Sequence, residues 1–221
     1  MFNLLHILDL APGATAGDAD RLAASLAEAG RGLRGVAGSA AGRTLPRDIG
    51  GGRLMWRLAF ETEDAHWAAR ASGEWRESIS GLLAGEGAVV LDAIAYRPGL
   101  SDATAGRKAP GIWRCLVLSV EPGTPADTIR QFERDTASMP GHVSTIRNWS
   151  MGHVVAREGR RCWTHVWEQE FDDIAGLEGE YMTHPIHWGL VDGWFDPECP
   201  QRIVDPFLIH AAFGIGEAVI L

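Results

Sequence analysis

An apolar run ending in a Pro-Gly turn occurs twice in the chain, and this repetition limits the possible folds more than any other feature. Residues 4–15 read LLHILDLAPGAT and residues 114–125 read RCLVLSVEPGTP. Each run opens a helix. Residues 18–30 carry apolar side chains at helical spacing, and Pro125-Ala126-Asp127 puts a proline and an early acid where a first turn accommodates both. Further on, RLMWRLAFETED (53–64) is matched by CWTHVWEQEFDD (162–173), in each case a Trp-bearing strand leading into an acidic helix start. Helical stretches follow at 65–83 and 174–195, and apolar strands at 89–96 and 203–213 close the two halves. Both halves therefore read β-α-β-β-α-β, the ferredoxin-like order.

A four-stranded antiparallel sheet with helices on one side leaves its other face bare, and that face must be buried. The second copy can cover it. The expected fold class is α+β, with two fused ferredoxin-like repeats forming an intramolecular dimeric α+β barrel. The expected division is residues 1–97 as the first repeat, 98–111 as a polar Gly/Pro-rich linker, and 112–221 as the second repeat. Two independent domains on a tether would each need an outside partner, whereas mutual burial removes both apolar faces from water at once.

The composition is that of a globular protein, with 46% hydrophobic and 22% charged residues. A net charge of -9, with one basic cluster at 157–161, excludes nucleic acid and an anionic membrane as partners. The three cysteines, Cys115, Cys162 and Cys199, are far apart and show no C-x-x-C spacing, so neither a disulfide framework nor a zinc site is expected and a cytoplasmic location fits. Residues 1–10 are apolar but too short to span a bilayer, lack a basic flank, and read as a strand.

Titratable and aromatic residues are densest at 178–195, EGEYMTHPIHWGLVDGWF, beside Trp163, His165 and Trp167. Strand alternation predicts that these three side chains share one face and wall a pocket with indoles around one imidazole. The corresponding first-half residues, Leu54, Trp56, Leu58 and Phe60, include no ionisable group. One chemical half and one structural half are expected.

The run Tyr181-Met182-Thr183-His184-Pro185-Ile186-His187 resembles the Y-x-x-H-P-x-H signature of the stress-responsive dimeric α/β-barrel family, Dabb. The likeness extends over about 112–213 and is nearest to members of the olivetolic acid cyclase type. The first half lacks the Tyr and both His around 72–78. What the resemblance implies is cofactor-free acid–base chemistry, with Tyr181 and His187 as the catalytic pair. Arg114 stands where the family often has a histidine, and would hold an anionic or phenolate oxygen. Trp163, His165, Trp167, His184 and Leu190 complete the expected substrate-binding set.

The chemistry also stands without the family. An imidazole with an ordinary pKa near 6.5 can take a proton at neutral pH and return it. A tyrosine hydroxyl can donate to a developing oxyanion. Six residues apart, Tyr181 and His187 would not share a face of one regular helix, so the helix is predicted to start at Pro185 with extended chain before it.

A metal set of His184 and His187 with His165, His153 or Glu168 is a weaker reading, since no HExxH or facial-carboxylate pattern occurs. No cofactor and no metal are therefore expected. Gly50-Gly51-Gly52 lacks the Lys and Ser/Thr of a phosphate loop and reads as a hairpin tip. Asp92 and Asp205 anchor the last strand of each half.

The expected function is a lyase, with cyclase or isomerase chemistry as neighbours, acting on a small aromatic or polyketide-like molecule. The fused pair could assemble further as a homo-oligomer. A non-catalytic ligand-binding barrel and a haem- or metal-dependent barrel of related architecture are the rival readings.

Overall fold

The computed structural model describes every residue except 47, 86, 104–110 and 221. In chain order the elements are β1 (Phe2–Leu10), α1 (Ala16–Gly32), β2 (Val36–Arg43), β3 (Leu54–Phe60), α2 (Glu63–Ala71), α3 (Gly81–Gly85) and β4 (Ala88–Ala103). The second half repeats this order with β5 (Ile112–Leu118), α4 (Ala126–Ala137), β6 (Ile146–Gly159), β7 (His165–Phe171), α5 (Ile174–Gly176) and β8 (Ile209–Gly214). Thr15 caps α1 in a reciprocal box with Asp18, and Thr62 caps α2 by accepting from Ala65 N–H.

All eight strands form one antiparallel sheet in the order β2-β3-β1-β4-β6-β7-β5-β8. Each repeat supplies four consecutive positions, so two equivalent seams join them. The β4–β6 seam is a long ladder, from Asp92↔Gly159 to Ala103↔Asn148. The other seam is short: Leu45 N–H donates to Ala212 O, and Ile49 bridges His210. Gly42 makes this closure feasible, because a Cβ there would lie 2.5 Å from the Phe213 ring. The sheet thus curls into a barrel, as the repeat implied.

Side chains alternate between the barrel interior and the helix layers. In β5, Trp113, Cys115 and Val117 point inward to meet Leu5, Ile7, Ile94 and Tyr96 of the first repeat. Leu116 and Leu118 point outward, with Phe132 and Trp194. In the first repeat Leu4, Trp56 and Leu58 face α1 and α2.

Two expectations need correction. First, β4 continues to Ala103, so 98–103 is strand rather than linker; pairing with β6 outweighs the local Pro98-Gly99 signal, and the register shifts between Pro98 and Ser101 where the proline cannot donate. The remainder of the expected linker, 104–110, lies outside the described residues. Second, the barrel interior holds charged groups from both halves, where polar groups were expected from the second alone. Arg57 of β3 forms an ion pair there with Glu168 of β7, and the Trp113 indole donates to the same carboxylate at 3.0 Å.

Two buried histidines of the first repeat bear on stability. His6 stacks on Trp56 and His66 packs on Phe2, and burial helped by the Arg70 charge lowers their pKa values to about 3 and about 4. Below the unfolded value of 6.5 the unfolded chain binds protons that the folded chain refuses, so stability is lost as pH falls. Each histidine is expected to cost up to about 1.4 kcal/mol per pH unit in that window. Asp48, raised by burial to about 6, opposes this between its unfolded and folded values. Urea unfolding at pH 7 and pH 4.5 should show the loss, and His6→Phe should reduce it; an unchanged pH slope would contradict the assignment.

Candidate active site

The helical layer of the second repeat is interrupted in a way that brings the motif residues together. Ile174–Gly176 continues as a wide π turn over Leu177–Tyr181, the chain breaks at His184, and a second wide turn covers His187–Val191. The break is the one Pro185 imposes on its predecessor. This corrects the expectation of extended chain before Pro185: the chain is already helical there. Wide turns and a break, rather than a helix entrance, let Tyr181 and His187 face the same space. Their rings meet edge to face with centroids 5.2 Å apart.

They line a cavity of about 580 Å³ between the outer face of the sheet and this layer. Arg114 and Leu116 of β5 and Trp167 of β7 form its floor, with His210 and Ala212 of β8 beside them. The Arg114 side chain is buried, donates to Gln169 Oε1, and sits with its guanidinium carbon 5.0 Å from the Tyr181 ring centre, while its Nε has no partner among the described residues. His187 Nδ1 is likewise buried without a partner among the described residues.

The electrostatics suit proton transfer. Burial, reinforced by the Arg114 charge, lowers the His187 pKa, with Asp192 opposing, so the imidazole stays neutral at neutral pH. Burial raises the Tyr181 pKa, although Arg114, Gln169 and Trp167 pull the other way, so its hydroxyl stays protonated. The Arg114 charge and burial depress His210 to about 3.

Not every expected binding residue reaches the cavity. Trp163 turns into the barrel and donates to Asp92 at 2.9 Å, because β7 begins only at His165 and the alternation does not extend back to 163. Asp92 also accepts from Arg160 and so anchors its strand. His165 shares the Trp167 side of β7 but meets Glu133 and Phe132 of α4 instead of the cavity. The pocket with two indoles around one imidazole is therefore not formed; Trp167 alone of the three lines the space. His184 accepts from Ile186 N–H through Nδ1 and secures the turn, and Leu190 is not among the lining residues. Of the alternative metal set, Glu168 is paired with Arg57 inside the barrel, away from His184 and His187.

Sequence reasoning missed the fourth wall. Leu45, Pro46, Asp48 and Ile49, from the first repeat's β2–β3 loop, cross the short seam and line the cavity. Asp48 accepts from Ala212 N–H at 3.0 Å, and its raised pKa of about 6 makes it a candidate acid. His210 was also missed. Both belong to residues brought in by strand closure, for which no local motif exists.

Fold and cavity define a class: a two-repeat α+β barrel with a ligand-sized apolar space carrying a few convergent polar groups. Residues 112–206 match the model of the Stress responsive A/B Barrel Domain family, the same family that the motif at 181–187 resembles. An anthrone oxidase-like protein of known structure superposes with a TM-score of 0.66 at 11% identity, covering 96% of this chain and 90% of that one. A candidate monooxygenase from Fusobacterium nucleatum gives 0.62 at 10% identity, covering 98% and 95%. A chlorite dismutase variant from Candidatus Nitrospira defluvii gives 0.54 at 8%, covering 96% and 90%. At such identities the likeness shows the fold. No curated protein matches the chain. Among the described residues no helix is long and apolar enough to cross a membrane.

Proposed function

We propose that the cavity binds a small aromatic or polyketide-like molecule bearing an anionic oxygen and moves a proton on it without a cofactor. The observation that carries this reading is the buried Nδ1 of a neutral His187, without a partner among the described residues, beside Tyr181 in an apolar cavity. Arg114 would hold the oxygen through its free Nε and Tyr181 would donate to it as charge develops. His187 would remove the proton. Asp48, poised near pH 6, could protonate a departing group from the opposite wall, which favours elimination and hence a lyase over a cyclase or isomerase.

Oxygenation is the second reading. The same base-generated carbanion could react with dioxygen, as the names of the anthrone oxidase-like and candidate monooxygenase structures suggest.

The test is a panel of phenolic and polyketide-like compounds, with binding followed by calorimetry and solvent deuterium entering the ligand followed by NMR. Arg114→Met is expected to weaken binding roughly 10- to 100-fold, the value of a charge-assisted hydrogen bond. Tyr181→Phe should slow exchange by about 10²-fold while leaving affinity nearly unchanged. Binding without exchange or turnover would make the protein a ligand-binding barrel. Product formation that consumes dioxygen would select the second reading.

A further inference from the structure

A second constellation lies outside the cavity, on the same outer face of the sheet. His153 of β6, His165 of β7 and Glu133 of α4 present ligand atoms that all lie within 4.8 Å of one another. None of the three lines the cavity. Glu133 Oε1 is 2.7 Å from His153 Nε2 and 3.2 Å from His165 Nε2. Two imidazoles thus converge on a single carboxylate oxygen.

The contacts around His165 fix how it faces this carboxylate. Thr164 Oγ1 accepts from Val120 N–H at 2.9 Å and lies 3.3 Å from Leu118 O. The same oxygen lies 2.8 Å from His165 Nδ1, and in the tautomer protonated at Nδ1 it accepts that proton and leaves Nε2 as the ligand atom. In that tautomer Nε2 presents a lone pair beside the Glu133 carboxylate, an arrangement that a cation between them satisfies. The Phe132 ring, edge-on at 5.8 Å, fixes the imidazole plane.

We propose that Glu133, His153 and His165 bind a first-row divalent transition metal. Two imidazoles and one carboxylate are the donor set of open, three-ligand zinc sites and of non-haem iron(II) sites. Bonds of about 2.1 Å would place tetrahedral ligands about 3.4 Å apart, close to the spacing already present. Thr164 supplies the outer hydrogen bond that such a histidine requires. His153 is 55% exposed, so the remaining coordination position faces water, and a bound aquo ion could act as a Lewis acid or hydroxide source there. The sequence hid this set because the third ligand comes from a helix 20 residues before the nearer histidine.

The test is titration of the full chain, freed of any affinity tag, with Zn²⁺ by calorimetry and with Co²⁺ by visible absorption. One ion per chain is expected, with Co²⁺ bands of a low-coordinate nitrogen and oxygen site. His153→Ala, on an exposed side chain, should weaken binding by at least about 100-fold, and Glu133→Gln should do the same. Thr164→Val should weaken it about 10- to 100-fold with the fold intact by circular dichroism. Absence of binding, or equal affinity in wild type, His153→Ala and Glu133→Gln, would overturn the assignment. Cysteine-to-cobalt charge-transfer bands would do so as well.

Discussion

Replacing His187 by alanine is expected to slow turnover of whatever the cavity converts by two to four orders of magnitude, the usual worth of a positioned general base. Substrate affinity should change little, because Arg114, Trp167, Leu45, Pro46, Asp48 and Ile49 remain in place. The pH profile gives an independent check. The base works only when neutral, and its pKa is lowered by burial and by Arg114, so the rate should persist below the ordinary imidazole range and fall only as pH drops through that lowered value. Removing the guanidinium with Arg114→Met should move this acid limb back up toward 6.5. Undiminished turnover in His187→Ala would assign the base to another residue, with Asp48 the next to test.

The second large effect concerns the barrel interior. Arg57 and Glu168 are both fully enclosed, and each comes from a different repeat. Burial works against the Arg57 charge, but the Glu168 carboxylate beside it raises the pKa and keeps the guanidinium protonated. Glu168→Leu leaves that charge unpaired and strips the Trp113 indole of its acceptor, which should cost about 3–5 kcal/mol of unfolding free energy. The double change Arg57→Met with Glu168→Leu removes both charges and should recover much of the loss, since an enclosed ion pair rarely outperforms apolar packing of the same volume. Urea unfolding of the two singles and the double measures the coupling. A double variant no more stable than Glu168→Leu would show that packing rather than charge governs this position.

Much of the architecture could be read from the chain because its information was local and duplicated. The two Pro-Gly turns and the two Trp-bearing strands recur in the same order, so periodicity in one half checked the other. Tyr181 and His187 were legible through their motif, although the reason they meet, wide turns broken at His184, was not. Trp163 was misplaced because alternation was extended two residues beyond the start of β7. Residues 98–103 were read as linker because Pro98 and Gly99 outweighed a pairing with β6 that only the folded chain supplies. Asp48, His210 and Glu133 escaped for a common reason. Each reaches its partners through strand closure or helix docking, across separations that no local pattern encodes.

That Leu45, Pro46, Asp48 and Ile49 reach across the short seam has a consequence for how such a protein diversifies. When two identical subunits pair, any alteration of a loop is felt at both pockets at once. Fusion of the copies removes that constraint, so the loop of one copy can vary independently of its counterpart and reshape a single pocket. Changes of substrate preference should accordingly map to the N-terminal copy, where a search confined to the motif-bearing half would never look.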